Sequence, residues 1–232
     1  MAKRPIFLPV DNPSLVKKVS VEFKWNPGFA PAQKKKNIVA LHESAKNKDK
    51  ELAPLLEIST KSEDSLGQRL SAFKLKIETE IGEITLEAAY QGSKVFENEG
   101  PFTDIYKKSS REAKKDARVK EPCKLIGFDF FGEKWDSVPE TAFYNWLYLK
   151  AAKRLHPDLE RLHNYKGFTD IEFNPQKSIN CQAYACALLV SLMRRDLLDK
   201  ALRSQKDFIK ITSFNSPSKN YSDKFRQSEL AL

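Results

Sequence analysis

No stretch of this chain approaches the roughly 20 consecutive apolar residues that a membrane-spanning helix needs, and prolines break the short apolar run of the opening "MAKRPIFLPVDNP". Neither a signal peptide nor a membrane anchor is expected; the expectation is a soluble protein. Cysteine is scarce as well. Cys123, Cys181 and Cys186 are an odd number without metal-ligand spacing, and the last two fall in an apolar run where free cysteine packs as a small hydrophobe, which fits a reducing cytoplasm. There is no GxGxxG, P-loop, HExxH or GxSxG. The three histidines, His42, His156 and His163, stand in unrelated polar contexts and read as surface residues, His156 directly before Pro157 in the helix-ending "LHPDL". A metal centre, a resident cofactor and a serine nucleophile are therefore set aside. Internal repeats and low-complexity segments are also missing.

What is present is a chain of 232 residues, 41% hydrophobic, enough for one sizeable core. Lys and Arg number 40 against 31 Asp and Glu, a net charge of +9, so polyanions should be attracted through the sequence-independent phosphate term. The excess is spread over "QKKKN" at 33–37, "KKSSREAKKDARVK" at 107–120 and "MRRDLLDKALRSQK" at 193–206. Each cluster alone reads equally well as a solvated helix face.

The pattern of elements is mixed. "PIFLPV" and "VKKVSVEFKW" predict strands, the second alternating Val19, Val21, Phe23 and Trp25 on one face. "APAQKKKNIVALHESAKNK" predicts a helix with Pro31 in its first turn. "RLSAFKLKI" with "EIGEITL" predicts a hairpin feeding a helix capped by Thr85. Beyond a loop, "SSREAKKDAR" predicts a basic helix capped by Ser109 or Ser110, and "EKWDSVPETAFYNWLYLKAAKRL" a long amphipathic one beginning near Pro139. There Phe143, Trp146, Leu147 and Lys150 keep helical spacing and read as core. "SINCQAYACALLVSLMRRDLLDKAL" predicts the central buried helix. The expected class is α+β: a mostly helical single domain over residues 1–212 with small antiparallel hairpins, residues 1–54 extending it, and a polar, mobile tail at 213–232.

One stripe carries chemistry. In "ITLEAAYQGSKVF", Glu87, Gln91 and Lys94 stand at i, i+4 and i+7, a spacing that places side chains above one another if the helix runs through all three. An arbitrary Glu and Lys so spaced form an exposed ion pair, but Ala88, Ala89, Tyr90, Gly92, Val95 and Phe96 make this helix apolar. Gly92 costs about 1 kcal/mol relative to Ala, which suits a position where something packs closely.

The run "RLSAFKLKIETEIGEITLEAAYQGSKVF" resembles the signature of the NADAR superfamily: a Phe-Ser-x-Phe element, a hairpin, then a Thr-x-Glu-x-x-aromatic-Gln-x-x-Lys-Phe helix. Leu70, Ser71 and Phe73 match the first element, and Thr85, Glu87, Tyr90, Gln91, Lys94 and Phe96 the last. "SSREAKKDAR" is similar to the family's Ala-Lys helix, Trp135 to its tryptophan before a long helix, Lys150 to the lysine ending that helix, and "LVSLMRR" to its closing helix. The resemblance covers roughly residues 55–195. Two departures stand out: Ala88 replaces the histidine after the glutamate, and "FTDIEFNPQKSINCQAYA" replaces the Asp-x-x-Trp-Gly loop.

With its longer N-terminal region the chain looks most like the NADAR antitoxins paired with DarT-type DNA ADP-ribosyltransferase toxins. That resemblance implies a NADAR fold, no cofactor, no membrane, and a cytoplasmic glycohydrolase that removes ADP-ribose from guanine in single-stranded DNA. It implies catalysis by Glu87 and Lys94. A carboxylate beside an anomeric carbon stabilises the oxocarbenium-like state of glycosidic cleavage. A lysine with a lowered pKa can attack that carbon and give an imine, or a charged one can hold ribose hydroxyls or a phosphate. Gln91 would position, Ser71 and Trp135 would bind, and Phe73 would stack on a base or fill the core. Lys114, Lys115 and Arg118 would hold a strand beside the pocket. Asp170 and Glu172 flank Ile171 and point to opposite sides, so one could reach the sugar. Asn174, Ser178, Asn180 and Gln182 form a polar entrance to an apolar helix whose N-terminus, placed at Ser178, could accept a diphosphate or simply be capped. Two other readings stay open: an N-glycosidase of a free nucleotide, and a non-catalytic module that binds nucleic acid or the toxin.

Overall fold

A computed structural model describes residues 1–213 except 29, 121, 122 and 177; the polar tail from 214 onward lies outside the described residues. Strands β1 (Ala2–Pro9) and β2 (Val16–Phe23) form an antiparallel pair running from Ala2 opposite Phe23 to Pro9 opposite Val16. The alternation Val19, Val21, Phe23 turns β2's apolar face onto helix α1 (Pro31–Lys48), which begins with Pro31 and buries Ile38, Leu41 and Ala45. Strand β3 (Leu55–Glu57) pairs in parallel with a late strand at 167–169, which meets β1 at Phe7 and Phe168. The sheet order thus places the N-terminal hairpin and the late strand side by side, and one of its three pairings is parallel rather than antiparallel.

Helix α2 (Ser65–Arg69) is capped by Asp64, and the chain from Leu70 to Leu75 is a turn, not the first arm of a hairpin. The hairpin is shorter than expected: β4 (Lys76–Thr79) and β5 (Gly82–Thr85), closed by the positive-φ Gly82. Thr85 caps helix α3 (Leu86–Gly92), its hydroxyl accepting from the Ala88 amide at 3.3 Å.

The helix then stops, which corrects the expected continuous stripe. Ser93 caps it, and Lys94 opens strand β6 (Lys94–Phe96), pairing with Phe128 of β7 (Leu125–Phe130). Sheet hydrogen bonds to β7 replace the helical ones that residues 93–96 would have made. Between these strands, α4 (Ser110–Lys115) carries a complete capping box from Ser109 and Glu112. "EKWD", ahead of the helix expected from near Pro139, is strand β8 (Glu133–Asp136), and α5 (Ala142–Lys153) begins three residues after Pro139.

Strand β9 (Gly167–Thr169) and helix α6 (Gln182–Arg194) follow, with α7 (Leu198–Arg203) and α8 (Gln205–Thr212) closing the described chain. Helices α5 and α6 are buried on almost every side, as their largely apolar composition requires, and pack together in the main core. Phe143, Trp146 and Leu147 lie there, while exposed Lys150 lays its ammonium 4.5 Å from the Trp146 ring. His42 departs from the surface expectation: it is half-buried and its Nε2 lies 2.8 Å from Thr169 Oγ1. Among the described residues no helix is long and apolar enough to cross a membrane.

Gly92 has a tertiary reason. A Cβ built there would stand 2.5 Å from Tyr106 Cε1. Tyr106 cannot easily yield, because its hydroxyl reaches the Asp129 carbonyl at 3.2 Å and its ring stacks on Phe131. Gly92→Ala should therefore destabilise the fold by about 1–2 kcal/mol, overpacking outweighing the gain in helix propensity. Urea unfolding tests this, and a stabilised variant would show that Tyr106 moves freely.

Candidate active-site cleft

A cleft of about 720 Å³ opens between α3, the turn after α2, the segment after β3, and the β9–α6 connection. Glu87, in the first turn of α3, is buried, and its Oε1 accepts from Gln91 Nε2 at 2.9 Å. The i, i+4 spacing read from the sequence therefore orients the carboxylate directly. Two acceptors on the lining lack a donor among the described residues, Gln91 Oε1 and Asn180 Oδ1. Asn180 Nδ2 donates to the Tyr90 hydroxyl at 2.7 Å, which leaves the phenol proton free for a ligand. Burial pushes the Tyr90 phenol up, so it stays a donor at neutral pH.

Ser71 and Phe73 enter from the turn after α2, with Lys114 of α4 placing its ammonium 5.2 Å from the Phe73 ring. Arg111, one turn before Lys114, lines the same wall, as does Lys61. Asp170, Glu172, Asn174 and Ser178 come from the β9–α6 connection. Asp170 is buried and its Oδ1 accepts from the Glu172 and Phe173 amides at 3.0 and 3.2 Å. Glu172 is exposed and 3.5 Å from Lys34, and both acids line the cleft despite flanking Ile171 because the chain turns rather than runs as a strand. The helix expected to start at Ser178 starts at Gln182, with Cys181 at its cap and no side-chain cap bond. Ser178 instead donates to the Asn180 carbonyl at 3.2 Å, and Gln182 Oε1 accepts from the Ala72 amide at 2.8 Å.

Lys94 lies just behind this lining. From β6 its ammonium stands 5.3 Å from the Tyr90 ring and 3.5 Å from the Val119 carbonyl. Burial brings its pKa down to about 8, partly offset by the nearby Glu87 charge. Three other predicted residues are not in the cleft. Trp135 packs in the core against Phe143, Trp146 and Phe208, because β8 directs it inward. Arg118 donates to both oxygens of Asp104, at 3.1 and 2.7 Å, and to Asp116, which is held well below the usual carboxylate range by Arg118 and Lys108. Lys115 faces a shallow neighbouring depression with Lys108 and Arg111.

Sequence reasoning missed Arg111, Lys61 and Tyr144 of α5 as lining residues. Arg111 stands at i−3 from Lys114, a helical spacing that could have found it. Tyr144 lies in an aromatic run that reads as core, and nothing local marks it.

Fold and cleft together define an α+β protein whose pocket combines a buried, amide-oriented carboxylate with aromatic walls and a basic rim. The family model for the DarT1-associated NADAR antitoxin matches residues 2–222, and the chain belongs to that family. It is thereby the antitoxin partner of a DarT-type toxin. No curated protein matches it.

The Lys94 environment has a measurable consequence. In the folded protein its amine should titrate near pH 8, against about 10.4 for a free lysine. Since Glu87 raises that value, Glu87→Gln should lower it further. Carbon-13 NMR of the methylated lysine would read both, and a midpoint above 10 would mean that Lys94 is solvated.

Proposed function

We propose that this antitoxin is an ADP-ribosyl glycohydrolase that removes ADP-ribose from guanine bases in DNA by cleaving the N-glycosidic bond. The observation that carries the reading is Glu87: a buried carboxylate with one oxygen fixed by Gln91 and, among the described residues, no donor on the other. Such a group stabilises positive charge developing at an anomeric carbon far better than an exposed carboxylate would, because water does not screen it. The cleft's volume falls in the range of ligand pockets, and its two orphan acceptors, Gln91 Oε1 and Asn180 Oδ1, suit the hydroxyl and N–H donors of a ribosylated base.

In this reading the amine of Lys94 attacks the anomeric carbon as the bond to guanine breaks, and the base leaves with the electron pair and takes a proton. The sugar ring opens to an imine on Lys94, and water hydrolyses it to free ADP-ribose and the amine. Lys94 must first leave the Tyr90 ring and the Val119 carbonyl to reach the cleft. Its lowered pKa supports the role, since the neutral amine is already abundant at pH 8. Activity should accordingly rise with pH toward about 8.

Glu87→Gln should fold normally and lose about 10²–10³ in rate on ADP-ribosylated guanine DNA. Full activity of that variant would sink the enzyme reading. Borohydride added during turnover should trap an adduct on Lys94, visible by mass spectrometry. Failure to trap in an active enzyme would leave Lys94 as a neighbour that positions Tyr90.

The basic wall supports a nucleic-acid substrate. Arg111 and Lys114 line the cleft, whereas Arg118 is already occupied by Asp104 and Asp116. Neutralising Arg111 and Lys114 together should weaken processing of a modified strand and flatten its salt dependence, with little effect on a modified nucleoside. Equal losses on both substrates would assign these cations to the ADP-ribose diphosphate.

A further inference from the structure

Beneath the cleft floor lies a buried polar chain assembled from three distant segments. Glu57, the last residue of β3, accepts from the Thr169 hydroxyl at 2.7 Å through Oε2 and from the Ile171 amide at 2.8 Å through Oε1. The Thr169 hydroxyl has one proton and gives it to Glu57, so the 2.8 Å contact to His42 is filled by His42 Nε2–H donating to Thr169 Oγ1. Burial lowers the His42 pKa to about 4, which keeps the ring neutral and able to hold that tautomer.

Asp170, between the two residues that Glu57 holds, is the second buried carboxyl of the group. Neither carboxyl is paired with a cation among the described residues; Lys34 goes to Glu172. The titratable groups facing the pair are Glu172 and Cys181 from the connection to α6, Tyr144 and Tyr148 of α5, His42 from α1, and Arg4 of β1, whose charge is felt at Asp170. Burial pushes both carboxyls up; the Glu57 charge then raises Asp170 further, and the Glu172 charge raises Glu57, against the donors that hold it. Two such groups cannot both ionise cheaply, so they share one proton. Its place follows from the hydrogen bonds. Both Glu57 oxygens accept, which favours the charged form, whereas Asp170 takes its two backbone amides on Oδ1 alone, has among the described residues only the neutral Gln182 amide beside it as a further donor, and lines the cleft, where a proton can face a ligand.

We propose that Glu57 is a positioning residue of the cleft: anchored by Thr169, His42 and the Ile171 amide, its buried charge keeps the shared proton on Asp170, which meets the substrate as a hydrogen-bond-donating acid. The role deepens the glycohydrolase reading of the same cleft and rests on it. Glu57 never touches substrate; it fixes the turn that carries Asp170 and sets which form of Asp170 is present.

Carbon-13 NMR of the aspartate carboxyls in the free protein tests the proton's place, with Asp170→Asn identifying the resonance. In the wild type Asp170 should titrate near pH 8, about four units over an ordinary aspartate, and a midpoint near 4 would overturn the proposal. In Glu57→Gln the midpoint should fall by at least about one unit, because the neighbouring charge is gone. Thr169→Val provides a second variant should the first not fold. With one hydrogen bond fewer, Glu57 takes the proton itself and the Asp170 midpoint falls again.

The alkaline limb of kcat/KM on ADP-ribosylated guanosine should follow that midpoint downward, while the acid limb set by Lys94 stays. A limb that ignores the moved midpoint would overturn the acid role of Asp170. A wild-type protein inert toward every such substrate would overturn the glycohydrolase reading alone, and the carboxyl titration would still uphold or overturn the placement of the proton.

Discussion

The cleft exists because residues 112 positions apart, Glu57 and Thr169, are hydrogen-bonded beneath it. The parallel pairing of β3 with β9 brings Glu57 beside Thr169, and the carboxylate then captures the next turn through Ile171 N. Burying a charge without a cation costs several kcal/mol, and the hydrogen bonds offset that only in this geometry. The connection carrying Asp170, Glu172 and Asn180 is thus tied from below before any ligand arrives. Around it the N-terminal hairpin, α1 and α6 close the base, so a segment with little regular structure is held in place.

The opposite wall uses a different constraint. α3 is short, capped at one end by Thr85 and stopped at the other by Ser93 and the β6 ladder, so Glu87 and Gln91 have a fixed helical relation. Tyr90 joins the two walls: its hydroxyl meets Asn180, its ring stacks on Phe143 and packs beside Phe128, and Lys94 lies against its face. One aromatic ring thereby couples the carboxylate helix, the late connection and the lysine. Antitoxin chemistry on a base would use those three elements together, which explains why apolar packing and polar function are interleaved so closely here.

Much of the site was legible locally. The Glu87–Gln91 relation needs only the helical repeat, Thr85 only its capping preference, and Ser71, Phe73 and Lys114 lie near enough to the motif to be gathered with it. Lys94 was singled out with its helix drawn too long. Seven residues of helix look like eleven when the following strand, "KVF", is itself largely apolar, and only pairing with β7 ends it. Trp135 and Arg118 were misassigned to the cleft for a related reason. An inward tryptophan and an arginine bound to two carboxylates have no local mark to separate them from exposed ones.

By itself, then, the sequence determined the composition of the chemistry: a carboxylate and an amide one helical turn apart, a lysine just beyond, a basic helix near them, and a family signature across the middle of the chain. Those depend on short-range geometry, which the backbone repeat fixes. The tertiary structure alone decided which cations remain free, that Lys94 approaches from a strand, that Tyr144 and Arg111 face the cleft, and that Glu57, Thr169 and His42 underlie Asp170. Those relations join side chains tens to more than a hundred positions apart, and only the burial of charged and polar groups beside one another gives them their energies.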